Sequence, residues 1–480
     1  MLLKKANQLL ADNRLKEAEF HFKTLLDTDP QNGEALFGLG RIALRLERFD
    51  AAVYLLQRSC ERLPNMLEPL HALADAFNGV NSPNDALKVL EYAKALASHN
   101  PEPHYYLAQH YLTHGELDKA HTTFAQALSL GLYPVTAYIL LELVQLGRFD
   151  KQHNYTSNLH HLLTQTNNLH LKMICYYALA KSYDQLDDIE QATNYYTLAN
   201  KLQRQLSDFN TDELTAFYQQ IIAHNPAPLF TNIEQGFKGT ITPVFIIGMP
   251  RSGSTLLEQI LASHSEFASI GEDTSISNHV VAFIEQQTKL PYPECLTALT
   301  PTLIEQGRAI YTNRLKQAKP IRAFMVNKLP ANYQSLGLIK RLFPNAKFID
   351  LKRDFNATVW SVFSNYFAEN EPYFCSVPEF KTYYDLYQTL MAHWHNALPN
   401  AIFTLEYEQL VSNPKEQLSQ LFGFLGCNFE PQCLDFYKSK KPVSTLSKHA
   451  IRQPLNNKAV ERWKRFEAPL RQLLNTQQTN

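Results

Sequence analysis

Four alanines, Ala18, Ala52, Ala86 and Ala120, stand 34 residues apart. The text around them repeats as well: NRLKEAEFHF, ERFDAAVYLL, NSPNDALKVL and GELDKAHTTF. Each copy opens on a polar turn and runs on as an amphipathic helix, with apolar residues at helical spacing. Pro30, Pro64, Pro101 and Pro134 bound successive units, as suits a residue that cannot continue a helix. A period of this length holds two helices and their turns. A small residue at a fixed point lets the paired helices approach closely. The first half of the chain is therefore constrained to a stack of helix pairs, each burying its apolar face on the next.

This period and its helix–turn–helix pattern resemble the tetratricopeptide repeat. GRFDKQHNY near 147–155 reads as a degenerate fifth unit, and DIEQATNYYTLANKL near 188–202 as a sixth. The resemblance implies a right-handed superhelix with a concave face that docks a peptide or protein, or holds a homodimer together. Tyr105, Tyr106 and Tyr111 are candidate groove aromatics, with packing between helices as the competing fate. After DELTAFYQQII the periodicity is lost, and HNPAPLF and EQGFKGTITP bring proline and glycine. The expected organisation is a repeat array over 1–206, a helical linker over 207–240 and a second domain over 241–480.

In that second domain short apolar runs alternate with helical segments: VFIIGM, STLLEQILASH, AFMVNKLP, QSLGLIKRLF, KFIDLKR, NATVWSVFSNYF, AIFTLEYEQL and PKEQLSQLFGFLG. The pattern predicts an α/β fold with a mostly parallel sheet and helices on both faces. Strands are expected at Ala323–Asn327 and up to Glu406. Ligands of such sheets bind at the carboxyl ends of strands. Arg251, Lys328, Arg353 and Tyr407 each follow one of these runs.

FIIGMPRSGSTLLEQIL carries the sharpest chemistry. A strand, a turn with two glycines and a helix start bring backbone N–H groups and a positive helix end onto one point. Ser254 and Thr255 are candidate helix caps. Arg251 adds a side chain that holds a phosphate or sulfate with directed hydrogen bonds. The turn is not a nucleoside-triphosphate loop, because Ser254 and no lysine follows Gly253. Nor does the spacing of Gly248 and Gly253 fit a dinucleotide fingerprint.

GMPRSGSTLLEQIL resembles the 5′-phosphosulfate loop of sulfotransferases that use 3′-phosphoadenosine 5′-phosphosulfate (PAPS). FPNAKFIDLKRDFNATVWSVFSNYF resembles their 3′-phosphate segment, with Arg353 and Ser361 at the matching positions. The likeness is to the tyrosylprotein sulfotransferase branch and to bacterial proteins that join tetratricopeptide repeats to a sulfotransferase domain. It implies two domains, an all-α superhelix followed by an α/β P-loop-like sulfotransferase domain with a parallel sheet. It implies Glu272 of SIGEDT as catalytic base, Lys328 of FMVNKLP at the reacting sulfate and Tyr407 of EYEQLVSNP at the nucleotide. Ser447 and Arg462 match a serine and a lysine of a C-terminal lid, with arginine here in place of lysine. Arg251, Ser252, Gly253, Ser254 and Thr255 are the expected donor loop. The expected product is 3′-phosphoadenosine 5′-phosphate (3′,5′-ADP), with no metal.

Rivals remain for the base: Asp273 beside Glu272, and His264, since small-molecule members of the family use a histidine. The acceptor is a peptide tyrosine docked by the repeats, or a small phenol, alcohol or glycan with the repeats used for assembly. A P-loop kinase and a non-catalytic scaffold are the more distant alternatives.

The 480 residues and 45% hydrophobic content suffice for two or three domains. A formal charge of -1 argues against a general nucleic-acid surface. The six cysteines have no zinc-type spacing and are expected as free thiols in a reducing, cytoplasmic setting. No segment reaches the ~20 apolar residues of a membrane span, and the first helix does not read as a signal peptide.

Overall fold

The computed structural model describes residues 1–131, 134–147, 155–207, 210–231, 233, 239–318, 320–367, 372–438, 453–456 and 458–475. The chain divides into two compact units, Met1–Gln165 and Thr166–Asn480.

The first unit is a run of antiparallel helix pairs: α1 (Leu2–Ala11) with α2 (Leu15–Thr28), α3 (Gly33–Arg45) with α4 (Phe49–Arg62), α5 (Leu67–Gly79) with α6 (Pro83–Leu96), and α7 (Pro101–Thr113) with α8 (Leu117–Ser129). Then come α9 (Thr136–Gln145) and α10 (Thr156–Gln165). Ala18, Ala52, Ala86 and Ala120 fall in the second helix of each pair, all fully buried. The polar turns repeat too. Asn13, Glu47, Asn81 and Gly115 all have positive φ, at 57°, 53°, 59° and 79°. A left-handed residue lets one helix stop and the next begin within a few residues. Asn32 and Asn100 cap α3 and α7 by accepting from the N–H of Ala35 and of Glu102.

The three expected groove tyrosines are half-buried in aromatic contacts. Tyr106 stacks on His71 at 3.9 Å between centroids, Tyr105 lies 6.0 Å from Phe124, and Tyr111 carries the Lys119 ammonium 5.2 Å above its ring. Residues 148–154 of the expected fifth unit lie outside the described residues.

The second unit opens with α11 (Leu169–Gln185), α12 (Ile189–Gln205) and α13 (Thr211–Ala223). The expected sixth unit near 188–202 is α12, which pairs with α11 and packs on the sheet domain. Tyr196 meets Trp360 edge-to-face at 5.7 Å, Asn200 Nδ2 donates to the Phe363 carbonyl at 2.8 Å, and Arg204 pairs with Glu379 at 3.1 Å.

The sheet domain then runs β1 (Thr242–Gly248), α14 (Ser254–Leu261), β2 (Phe267–Ser269), α15 (Ala282–Thr288), α16 (Pro301–Gln317), β3 (Phe324–Asn327), α17 (Leu336–Leu342), β4 (Lys347–Lys352), α18 (Phe355–Phe363), α19 (Val377–Ala397), β5 (Ile402–Glu406), α20 (Tyr407–Ser412) and α21 (Pro414–Leu425). Two short helices close it, α22 (Lys458–Glu461) and α23 (Glu467–Asn475).

Among the described residues the sheet has five strands in the order β2-β3-β1-β4-β5, every neighbouring pair parallel. β1 is central and, after Thr242, apolar and buried along its length, as a strand covered on both faces should be. Its Val244 and Ile246 join Leu257, Ile260, Leu421 and Phe422 in one core, while Phe245 stacks on Tyr311 of α16. The strand expected at Ala323–Asn327 begins one residue later. β2 escaped the sequence reading, because three residues carry no usable alternation.

Candidate functional site

The chain leaves β1 toward the β3 and β2 side, and leaves β4 toward β5. A crevice at the carboxyl edge follows between β1 and β4, the place where open parallel sheets bind ligands. The turn after β1 is shaped for it. Gly248 has φ 144°, and a Cβ there would lie 2.5 Å from the Leu351 carbonyl oxygen of β4. Arg251 is itself left-handed at φ 66°, a conformation that costs an L-residue roughly 1–2 kcal/mol and is typical of functional turns.

Gly253, at φ 101°, occupies the cap position of α14, and a Cβ on it would overlap the Tyr407 ring. The caps expected at Ser254 and Thr255 are thereby corrected: both lie inside the first turn of α14, and no side chain caps this helix. The tight turn uses its last residue as the cap and leaves the two hydroxyl residues among the first helical N–H groups. Ser252 is buried, and its Oγ has no hydrogen-bond partner among the described residues.

Two arginines meet here. Arg251 Nε donates to Ser361 Oγ at 3.1 Å, and Arg353 Nη1 donates to the Arg251 carbonyl at 2.8 Å. The Arg353 guanidinium lies 4.9 Å over the Tyr407 ring. Asp354 caps α18, accepting from the Ala357 N–H at 2.8 Å, and so fixes the helix that carries Ser361. Burial, with the positive charges of Arg353 and Arg462, pushes Arg251 down to about 10. Arg353 is lowered as well, by burial. A buried guanidinium whose charge is disfavoured by its surroundings would gain from a bound anion.

On the other side of β1, adjacent strand ends bring Glu272 and Lys328 together. The β2–β3 ladder continues past its last pair, with the Lys328 N–H donating to the Gly271 carbonyl at 2.8 Å. Lys328 is buried, and its Nζ donates to Glu272 and lies 3.8 Å from Glu258 Oε2. The Glu272 side chain is 50% exposed. Glu258, on α14 one turn after Ser254, also accepts from Ser269 Oγ at 2.5 Å. Sequence reading missed it. The signal was an acid inside the apolar run LLEQIL, where burial demands a partner.

A model of the sulfotransferase family matches residues 243–431, and models of the tetratricopeptide repeat match 3–66 and 175–206. Residues 243–431 are a sulfotransferase-family domain. Protein-tyrosine sulfotransferase 2 of Gallus gallus is 24% identical over 255 residues, covering 48% of this chain and 66% of its own length. An uncharacterized protein of Aquifex aeolicus (strain VF5) is 29% identical over 299 residues, 61% of this chain and 39% of that one. The chain therefore spans less than two thirds of either relative. A solved sulfotransferase domain from the curacin biosynthetic pathway is 21% identical, with 48% of this chain and 93% of that one covered and a TM-score of 0.34.

In the sulfotransferase domain the other two candidates for the base, Asp273 and His264, each hold partners of their own. Asp273 is buried; its Oδ2 pairs with Arg314 Nε at 2.5 Å and its Oδ1 accepts from the Ser275 N–H at 3.0 Å. His264 precedes β2, at the amino edge of the sheet and opposite the strand ends that carry Arg251 and Lys328. Its Nδ1 accepts from the Glu266 N–H at 3.1 Å, so Nε2 carries the proton and donates to the Asn428 carbonyl at 2.8 Å.

Among the described residues one group of potential metal ligands exists, His264, Glu266 and Cys427. That Nδ1 lone pair is already used, so the histidine has none to offer an ion.

Arg462 precedes α23, and its Nη2 donates to Asp184 of α11. Burial lowers it, but the charge and hydrogen bond of Asp184, with Tyr196, outweigh this and leave it raised. Ser447 lies outside the described residues.

Proposed function

We propose that this chain moves a sulfuryl group from PAPS to an acceptor hydroxyl. The observation that carries the reading is the Arg251–Ser361–Arg353 arrangement at the β1/β4 crevice. Two cations and a hydroxyl from two strand ends and a following helix suit a phosphate beyond the one a loop alone would hold. The donor also fits the turn, where Ser252 Oγ is buried without a partner among the described residues and neither Gly248 nor Gly253 accommodates a Cβ.

PAPS, when bound, supplies a sulfur whose bond to the 5′-phosphate oxygen breaks as the acceptor oxygen bonds to it, leaving the electron pair on the phosphate. The N–H groups at the start of α14, with Arg251, stabilise negative charge in the cradle. Lys328 adds a buried ammonium held between Glu272 and Glu258. Glu272, half-exposed beside it, accepts the proton of the attacking hydroxyl. A phenol, with a reference pKa of about 10, is easier to activate in this way than an alkyl alcohol. The protein-tyrosine relatives support a peptide tyrosine as acceptor, with the repeats as docking surface; a small phenol, alcohol or glycan is the second reading. No helix among the described residues is long and apolar enough to cross a membrane. All six cysteines are free thiols, in keeping with a reducing, cytoplasmic setting.

Calorimetric binding of 3′,5′-ADP, AMP and ATP tests the donor. The 3′-phosphorylated product should bind much the tightest, and Arg353→Ala should erase the difference. Equal binding of all three nucleotides by the unaltered protein would sink the assignment.

A further inference from the structure

The helix that opens the second unit reaches the crevice at two points. Lys181 and Asp184, three residues apart on α11, share one helix face. Lys181 Nζ donates to Asn365 Oδ1 at 2.9 Å, and Asn365 Nδ2 donates to the Ser361 carbonyl at 2.8 Å. Asp184, with its side chain 4% exposed, accepts from Arg462 Nη2 and, at 3.0 Å, from Arg465 Nη1. Arg465 also donates to the Asp184 carbonyl at 3.1 Å and pairs with Asp187. A buried aspartate thus grips two arginines of the C-terminal segment, and the Trp360–Phe466 stack at 4.2 Å seats that segment on α18.

Arg462 is the member of the arginine cluster most in need of a hold. Its side chain is 48% exposed, so packing alone does not fix a long side chain with high rotamer entropy. It also stands close enough to Arg251 to add to the lowering of that guanidinium. Repulsion from Arg251 favours turning Arg462 out into solvent, and the Asp184 carboxylate behind it opposes that escape.

We propose that Asp184, from the last repeat, is a positioning residue for nucleotide binding that holds Arg462 at the edge of the anion cradle. The inference rests on the donor reading above. The α11–α12 pair is then a wall of the donor site in addition to a repeat unit. Preorganising a cation in this way raises affinity by removing the cost of ordering it on binding.

The test is a double-mutant cycle in the full chain, read by calorimetric binding of 3′,5′-ADP with melting curves as the folding control. Asp184→Asn keeps the shape and removes the charge. It should weaken binding at least about tenfold, on the order of 1.4 kcal/mol. Arg462→Ala should weaken binding by a similar or larger factor, and Asp184→Asn added to it should cost no further affinity. Asp184→Glu keeps the charge at a slightly altered reach. It is the second variant should the asparagine fail to fold, and its loss should be smaller and should likewise vanish without Arg462. Losses that multiply in the double variant, unchanged affinity in folded Asp184→Asn, or tighter binding from release of a competing carboxylate would each overturn the proposal and leave the donor reading standing. If the unaltered protein binds no 3′,5′-ADP, the donor reading falls, and this proposal with it.

Discussion

Gly253→Ala isolates the tightest point of the proposed anion cradle. The residue sits at φ 101°, and a Cβ there would overlap the Tyr407 ring. The backbone contribution is roughly 1–2 kcal/mol for an L-residue forced left-handed. Pushing an extra methyl into a packed contact adds about 1–3 kcal/mol. The total of roughly 2–5 kcal/mol should lower the melting temperature by at least about 4 °C, at ~2–4 °C per kcal/mol for a domain of a few hundred residues. The same change should weaken 3′,5′-ADP binding, because the Tyr407 ring that must move lies under the Arg353 guanidinium. Differential scanning calorimetry with and without nucleotide reads both effects. In a Tyr407→Ala background the overlap is gone, so Gly253→Ala should cost about 1–3 kcal/mol less there. Equal costs in the two backgrounds, or an unchanged melting temperature in the single variant, would refute the reasoning.

Other consequences are simpler to read. His264→Gln should lower stability, since it loses hydrogen bonds to Asn428 and Glu266, while turnover of the folded protein stays within about twofold; a loss above about a hundredfold, the scale of general-base catalysis, would return His264 to the reaction. Asp273→Asn, which removes the buried charge paired with the partly exposed Arg314, should destabilise by up to about 3 kcal/mol, and a melting temperature equal to that of the unaltered protein would contradict a structural role. In the first unit, burial holds His71 and His110 at about 4. The unfolded chain takes up these protons below about pH 6.5, so the stability of the neutral histidines is present above that pH and is lost as pH falls toward 4. The loss is on the order of 2 kcal/mol per histidine at pH 5. A His71→Gln/His110→Gln double variant should therefore show a smaller fall in melting temperature from pH 7 to 5 than the unaltered chain, and equal slopes would contradict it.

The repeats were legible because a fixed spacing is a global signal. The alanine period and the left-handed turn residues fall where a stack of helix pairs needs them. The sheet was legible where strands are long and apolar, as in VFII, and invisible at β2, where register with β3 does the work that three residues cannot. Of the candidate site, strand ends and motif pointed to Arg251, Arg353, Ser361, Lys328 and Glu272, which lie at the carboxyl edge of the sheet. Glu258 was missed because an acid in a helix usually means solvent, and only the fold puts Lys328 beside it. Asp184 was beyond reach for a similar reason. Nearly 280 residues separate it from Arg462, and a repeat helix gives no sign in sequence that its partner is an arginine of the proposed nucleotide site. The caps assigned to Ser254 and Thr255 failed because the left-handed Gly253 ends the turn one residue earlier.

The central claim is sulfuryl transfer, and it is most directly tested with sulfur-labelled PAPS. The full chain would be incubated with the labelled donor and separate pools of tyrosine peptides, small phenols, alcohols and glycans. The account predicts labelled product in at least one pool, strongest with phenolic acceptors. With Glu272→Ala the label should vanish while 3′,5′-ADP binding is kept. Unlabelled pools throughout, from a protein that binds the nucleotide, would contradict transfer; undiminished label with Glu272→Ala would contradict the base.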